Sequence, residues 1–244
     1  DDPASPFPEE LNRRVITLAG TLHCAPTAGA RDRLLAEGVP AGRVHLTGNT
    51  VVDALHAVAE RAVAAVPPLP AGRRLVLVTA HRRENFGPPL EGICAALRAV
   101  ADAHPDVEIV FPVHLNPNVR GPVFRLLGDH PRIRLLDPLD YVTFTGYLAQ
   151  ATLVLTDSGG VQEEAPALGT PVLVLRDETE RPEGVEAGVA RLVGADPAAI
   201  VPAAHVLLTD PAAHARMAQA RSLYGDGQAG RRIAALCADF LSDE

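Results

Sequence analysis

The eight residues at positions 157–164 read Asp-Ser-Gly-Gly-Val-Gln-Glu-Glu and follow an apolar run at 152–156. This order predicts a strand, a glycine turn and a helix. The turn would lie at the carboxyl edge of a parallel sheet, where open α/β sheets bind their ligands. Backbone N–H groups and a hydroxyl from Ser158, Gly159 and Gly160 would then cluster at the positive end of the helix dipole. Such a turn can hold a phosphate or a diphosphate.

Two carboxylates follow that turn by about one helical turn. Glu163 or Glu164 is placed to accept hydrogen bonds from the vicinal hydroxyls of a sugar, so the motif indicates a nucleotide-sugar site. The structural alternative is that Asp157 or Ser158 only caps the helix and the glycines only allow a tight turn. Taken alone, the motif favours neither interpretation over the other.

Three further polar clusters follow predicted strands, at residues 79–87, 112–118 and 176–183. An isolated histidine is more often structural than catalytic, and a run of Arg and Glu is usually a solvated face or an ion pair. However, all four clusters would lie at the same edge of one sheet, which favours a site. Within the last cluster, Arg176 or Arg181 could pair with phosphate oxygens.

Composition limits the class of protein. With 244 residues, of which 47% are hydrophobic, the chain can bury the core of one large domain or slightly more. Its net charge of −8 disfavours nucleic acid as a partner, because binding a phosphate backbone needs a basic surface. No apolar stretch approaches the ~20 residues of a membrane span, and the N-terminus has no signal segment. We therefore expect no membrane partner and a cytoplasmic location.

The cysteine spacing and the lack of lysine exclude several kinds of site. Cys24, Cys94 and Cys237 are far apart and in no paired spacing, so we expect reduced thiols rather than a disulfide framework or a zinc knuckle. All 22 basic residues are Arg, which excludes a lysine-dependent P-loop and a Schiff-base lysine. The polar clusters lack a short chelating spacing, and a diphosphate held by N–H groups and Arg needs no cation. We expect neither a metal nor a cofactor.

The elements that would position these clusters alternate regularly between strand and helix, which predicts an α/β fold with a parallel sheet covered on both faces. The predicted strands are 74–79, 107–113, 133–136, 152–156, 171–175 and 190–193. The predicted helices between them are 89–103, 117–127, 140–150, 161–168 and 182–187. Outside this block we predict helices at 11–22, 50–64 and 228–241 and strands at 23–27 and 44–47.

Five motifs in register make the resemblance to a known family specific. Together they are similar, in order and spacing, to the non-hydrolysing UDP-N-acetylglucosamine 2-epimerases. The five motifs lie at residues 47–50, 81–85, 112–117, 157–164 and 180–183. The similarity extends over nearly the whole chain. It implies a GT-B fold, in which two Rossmann-like domains face each other across a cleft, and interconversion of UDP-GlcNAc and UDP-ManNAc.

The resemblance also implies roles for individual residues. In such enzymes UDP is eliminated across C1–C2 to give a 2-acetamidoglucal, and is then added back with C2 inverted. The implied UDP-binding residues include Ser158, Gly159 and Gly160 at the diphosphate and Glu164 at the ribose. Arg181 is the fifth implied UDP-binding residue. The implied catalytic residue is His81, which would stabilise charge near the leaving phosphate. Arg82 and His114 match positions of a second, activating UDP-GlcNAc site found in some bacterial members.

The chain departs from the family in length. Family members are longer and carry an N-terminal Rossmann-like domain with the carboxylates that move the C2 proton, and we expect that domain to be largely absent here. We assign 1–70 to the end of that domain and a connecting segment, 71–222 to the UDP-binding Rossmann-like domain, and 223–244 to a helix returning toward the first domain. We expect this polypeptide alone to epimerise nothing.

Alternatives to the epimerase remain at this stage. A hydrolysing relative would release ManNAc and UDP, and another relative would act on a different UDP-aminosugar. A GT-B glycosyltransferase or a nucleotide-sugar-binding module would use a similar glycine turn and ribose-binding carboxylate. The paired motifs that begin at His81 and His114 favour the epimerase. The resemblance further implies a homodimer.

Overall fold

The computed structural model describes residues 8–219 and 223–242, apart from the side chain at position 60. The chain forms two compact units. One consists of Asp1–Ala54 with Tyr224–Glu244, and the other is Leu55–Leu223. Within the described residues, no helix is long and apolar enough to cross a lipid bilayer. All three cysteines are free thiols.

The first unit contains a two-stranded parallel sheet and its helices. The strands are β1 (His23–Ala25) and β2 (Val44–Leu46), and the helices are α1 (Glu9–Ala19), α2 (Ala28–Ala36), the start of α3 (Thr50–Ala64) and α11 (Ala229–Ser242). A short 3₁₀ turn, Ala41–Arg43, precedes β2. The Asp53 carboxylate accepts the backbone N–H groups of Ala229 and Gly230 and so holds the start of α11 against α3.

The second unit is a six-stranded sheet with helices on both faces. Its strands are β3 (Arg74–Thr79), β4 (Val107–Pro112), β5 (Ile133–Leu136), β6 (Ala151–Thr156), β7 (Val172–Val174) and β8 (Ala190–Leu192). Its helices, apart from the rest of α3 and a 3₁₀ turn at Arg83–Asn85, are α4 (Pro88–Ala103), α5 (Pro117–Leu127), α6 (Tyr141–Gln150), α7 (Gly159–Ala167), α8 (Pro182–Glu186), α9 (Pro197–Thr209) and α10 (Pro211–Met217).

All strand pairs of this sheet are parallel, in the order β5-β4-β3-β6-β7-β8. This is the order of a dinucleotide-binding Rossmann sheet, and the order reverses between β3 and β6. Along β3, Val76 and Val78 pack into the core beneath α4, α5 and α9, whereas Leu75 and Leu77 pack into the core beneath α6 and α7. Both faces of the sheet are therefore buried, which explains the nearly continuous apolar runs.

The α/β prediction with a parallel sheet is confirmed, and the six predicted strands differ from the observed strands by at most a residue at either end. The helix predicted at 11–22 instead ends at Ala19, because Gly20 takes an extended backbone conformation. The strand predicted at 23–27 ends at Ala25, because Thr27 caps α2 through its side chain. Helices α2, α9 and α10 were not predicted, and α9 and α10 each begin with a proline that reads as a loop.

Candidate active site at the carboxyl edge of the sheet

The glycine turn lies where β6 ends and α7 begins. Ser158 is the N-cap residue of α7, but its side chain makes no capping hydrogen bond. Its N–H donates to Thr156 Oγ1 at 2.9 Å, which holds the turn against the strand end. Gly160 is exposed, and a Cβ added there would meet no atom within 4 Å. The first turn of α7 therefore presents backbone N–H groups that its own N-cap side chain does not satisfy.

The turn opens onto a cavity of about 170 Å³ at the carboxyl ends of β3, β4 and β6. Of these strands, β3 and β6 flank the point where the strand order reverses, which is the usual ligand position in such sheets. Loops after four strands line the cavity, with Thr79, Ala80, His81, Pro112, His114, Pro138, Leu139, Ser158 and Val161. Three of the four polar clusters thus meet in one cavity.

A buried carboxylate organises the loop that carries His81. The Asp157 side chain is fully buried, and its Oδ2 accepts the N–H groups of His81 and Arg82, each at 2.8 Å, and Asn85 Nδ2 at 3.0 Å. Asn85 also donates to the carbonyl of Leu175. These hydrogen bonds therefore tie the loop after β3 to the ends of β6 and β7 and couple its position to that of the glycine turn.

The other oxygen of that carboxylate, Asp157 Oδ1, lies 3.3 Å from His81 Nδ1. The His81 ring stacks on His114, with centroids 5.7 Å apart. Burial lowers the pKa of His81, and the nearby Arg82 and His114 lower it further, while Asp157 opposes them. His81 is therefore set up as a neutral imidazole at neutral pH.

An ion-pair network covers the start of α7. Glu180 contacts Arg82 Nη2 at 3.2 Å and also pairs with Arg176, which in turn contacts Glu84 at 2.5 Å. A Cβ built on Gly159 would lie 2.8 Å from Glu180 Oε1, so the carboxylate sits directly beside the first residue of the helix. An anion at the start of α7 would therefore meet this carboxylate and the arginines that it holds.

The two carboxylates of the motif are both buried inside α7, but they have different partners. Glu163 pairs with Arg181 Nε, and Glu164 accepts a hydrogen bond from Tyr141 Oη at 3.0 Å. Burial raises the pKa of Glu164, and the Glu163 charge adds to that, while the Tyr141 hydroxyl opposes it. Burial and Glu164 together raise the pKa of Tyr141 to about 12.

A second, larger cavity of about 500 Å³ lies among β7, β8, α9 and α10. Its lining is mostly aliphatic, with Arg191 and Arg216 as its charged members. Size alone would favour it as a ligand site. The smaller cavity, however, combines a helix N-terminus with two histidines, one of which lies beside a buried carboxylate, so we place the candidate site there. Among the residues described, no group of three or more His, Cys, Asp or Glu side chains is arranged to hold a metal ion.

The sequence profile described as UDP-N-acetylglucosamine 2-epimerase matches residues 1–238. The chain belongs to the UDP-N-acetylglucosamine 2-epimerase family. A probable UDP-N-acetylglucosamine 2-epimerase of Ralstonia nicotianae is 55% identical over 239 residues, which cover 94% of this chain and 64% of that protein. The Bacillus subtilis UDP-N-acetylglucosamine 2-epimerase is 49% identical over 230 residues, covering 94% of this chain and 60% of its own. The chain thus spans less than two thirds of these relatives.

A solved structure supports the same family assignment and the GT-B fold. The UDP-GlcNAc 2-epimerase of Neisseria meningitidis, solved bound to UDP-GlcNAc, is 38% identical and superposes with a TM-score of 0.91. The match covers 98% of this chain and 67% of that one.

In this epimerase-family chain the residues implied by the resemblance are partly assembled. His81, His114 and Ser158 line one cavity, with Gly159 and Gly160 at the adjoining helix start. Two others are held in ion pairs next to α7, because Arg181 pairs with Glu163 and Arg82 with Glu180. Glu164 is held by Tyr141.

The sequence did not predict that Asp157 and Asn85 hold the loop after β3 or that Tyr141 donates a hydrogen bond to Glu164. The first two are visible in the motifs, but nothing in their spacing says that they meet across 72 positions of the chain. Tyr141 stands at the start of α6, 23 positions from Glu164, where no local pattern connects the two residues.

Proposed function

We propose that this protein takes part in the interconversion of UDP-GlcNAc and UDP-ManNAc, and that the described sheet unit supplies its UDP-binding site. One observation carries the proposal: an uncapped Ser-Gly-Gly helix start opens onto a cavity that also holds His81 and His114. Backbone N–H groups at a helix N-terminus favour an anion. The UDP-GlcNAc-bound relative named above supports a uridine diphosphate sugar as that anion.

In the proposed complex the diphosphate oxygens accept hydrogen bonds from the N–H groups of Gly159 and Gly160 and from the Ser158 hydroxyl. Glu164 accepts the ribose hydroxyls in place of, or together with, its bond to Tyr141. Arg181 contributes positive charge near the diphosphate, which requires its side chain to leave or share Glu163. These roles follow from the family resemblance and are compatible with the positions described above.

For the chemistry, we propose elimination and re-addition of UDP. His81 lines the cavity beside the turn, where a hydrogen bond from its ring would stabilise the charge that develops on the leaving diphosphate. The carboxylates that remove and return the C2 proton are not assigned within this chain. We further propose that Arg82 and His114 contact a second, activating UDP-GlcNAc. A homodimer and a cytoplasmic location stay predictions from the sequence.

The reaction is tested by incubating UDP-GlcNAc in D₂O with the protein expressed from its complete gene, and with the 244-residue chain as a comparison. We expect the complete gene product to form UDP-ManNAc that carries solvent deuterium at C2, and the 244-residue chain to form none. Accumulation of free ManNAc and UDP would indicate the hydrolysing reaction instead. Transfer of the sugar to an acceptor, with no C2 exchange, would replace the proposal by a glycosyltransferase.

A further inference from the structure

The hydrogen bonds that hold the loop after β3 use only one of the two carboxylate oxygens of Asp157. Its Oδ2 alone accepts the three donors that tie the loop after β3 to the turn. Its Oδ1 is buried and has no other hydrogen-bond partner in the part of the chain that the structure describes. His81 Nδ1 lies 3.3 Å from it, a close approach that is not aligned as a hydrogen bond.

A fully buried carboxylate oxygen is costly unless a proton or a positive charge faces it. The three donors on Oδ2 could be accepted equally well by an amide oxygen, as in asparagine. The negative charge at this position therefore has one local use, which is to attract the proton on His81 Nδ1. Loose geometry of this kind in a ligand-free site commonly tightens when the ligand binds.

We propose that Asp157 is a positioning residue for His81: it keeps the proton on Nδ1 and directs the opposite ring nitrogen, Nε2, at the diphosphate. This inference rests on the proposed function. In the free protein the imidazole is neutral. When the diphosphate arrives, Nε2 takes a proton from solvent and donates a hydrogen bond to a phosphate oxygen. The resulting imidazolium then lies between two anions, Asp157 and the diphosphate.

The charged groups around the His81 ring favour a neutral imidazole before the diphosphate binds and an imidazolium afterwards. Before the ligand binds, burial, Arg82 and His114 hold the pKa of His81 below its ordinary value against the opposing Asp157. Glu180 is paired with Arg82 and moderates that cation. A bound diphosphate adds negative charge on the other side of the ring and raises the pKa of His81. UDP binding is thus coupled to proton uptake. UDP affinity should fall as pH rises from the lowered pKa of His81 in the free protein to its higher pKa in the complex, and should level off above the latter.

The test measures protons taken up per UDP bound, by calorimetry in buffers of different ionisation enthalpy at about pH 8. At that pH the terminal phosphate of UDP, with a pKa of about 6, is already ionised. The proteins are the complete gene product and its Asp157→Asn variant. Asp102→Asn is the control for removing a carboxylate beside a histidine. The exposed Asp102 lies 3.1 Å from His130, and neither residue lines the candidate site.

We expect the wild type and Asp102→Asn to take up a clear fraction of a proton and Asp157→Asn to take up almost none. UDP binding to Asp157→Asn should weaken about tenfold, the loss of one charge-assisted hydrogen bond. Weaker binding with unchanged proton uptake would mean that Asp157 is only structural, and it would overturn the proposal.

A second measurement needs no variant and no ligand. The ¹⁵N shifts of the His81 ring in the free wild-type protein report which nitrogen carries the proton. We expect the Nδ1–H tautomer, and a predominant Nε2–H tautomer would overturn the proposal even if Asp157→Asn failed to fold. If UDP did not bind the wild type at all, the proposed function would fail, while the tautomer would still decide the Asp157–His81 relation.

Discussion

Two kinds of helix start within the sheet unit can be compared: starts capped by an aspartate side chain, and the uncapped start of α7 that opens onto the cavity. The starts of α4 and α8 also lack a side-chain cap, but each has a proline in its first turn. At α6, α9 and α10 an aspartate side chain, Asp140, Asp196 or Asp210, accepts N–H groups of the first turn. At α7 the N-cap is Ser158, whose side chain accepts none. The first kind uses its amides to stabilise the fold, at about 1 kcal/mol per cap. The second leaves amides available beside a cavity, so the comparison separates helix starts that serve stability from the one that we assign to a ligand.

The largest expected effect comes from adding a carboxylate at the uncapped start. Gly160→Asp has room for its side chain and favours the helix, because an acidic group in the first turn complements the dipole. The same carboxylate would repel the diphosphate and occupy its N–H groups. We expect the dissociation constant for UDP to rise about 100-fold while thermal stability is kept or improved.

Gly160→Asn is the matched neutral control for that substitution, and its loss should be much smaller. Equal losses for the two variants would mean that the side chain acts by its bulk, and the electrostatic interpretation of the turn would be wrong.

Next in size is the loss of the ribose contact. Glu164→Gln removes the charge of a buried carboxylate that we place at the vicinal hydroxyls, and we expect about tenfold weaker UDP binding. The wild type should lose a similar factor when 2′-deoxy-UDP replaces UDP, and the two losses should not add in a double-mutant-type cycle. Additive losses would place Glu164 away from the ribose. Tyr141→Phe serves as a check on indirect effects through the 3.0 Å hydrogen bond.

A paired substitution sharpens the comparison between the two kinds of helix start. Ser158→Ala should weaken UDP binding about fivefold, the value of one neutral hydrogen bond, and leave the free energy of unfolding nearly unchanged. Asp196→Ala should do the opposite, lowering the free energy of unfolding by about 1 kcal/mol with UDP binding intact. Chemical denaturation and calorimetry on both variants measure the two quantities. If Ser158→Ala destabilised the fold as much as Asp196→Ala, the distinction would fail.

The smallest expected effect has the opposite sign. Glu180 lies beside Gly159 and holds Arg82 and Arg176, so it competes with a diphosphate for the same charges. Glu180→Gln should therefore tighten UDP binding about threefold at low salt, with less gain at high salt. Glu91→Gln, which removes an exposed carboxylate that pairs with Arg125, is the control. Weaker binding in Glu180→Gln would show that the carboxylate supports the site rather than competing with its ligand.

The sequence predicted the sheet well, for a physical reason. Strands buried on both faces read as apolar runs, and Leu75 through Val78 make such a run because alternate residues fill two different cores. The helices α9 and α10 were not predicted because each begins at a proline, a residue that is also a loop signal, although the aspartate before each proline is a helix-start signal.

The site was predictable only in part. Motifs that end parallel strands must meet at one edge, so the meeting of His81, His114 and Ser158 followed from the strand pattern. The partner of each charged side chain did not. Arg181 pairs with Glu163, and Asp157 with the loop after β3, through distances along the chain that no local spacing encodes. Those pairings depend on the three-dimensional packing of loops.

The central claim, that the amides at the start of α7 bind the diphosphate, is tested most directly by titrating UDP into ¹⁵N-labelled complete gene product. We predict that the amide resonances of Gly159 and Gly160 shift with the same dissociation constant that calorimetry gives, and that their hydrogen exchange slows. Saturable binding that left those two amides unchanged and instead shifted residues lining the larger cavity, such as Ala203 and Leu207, would contradict the account.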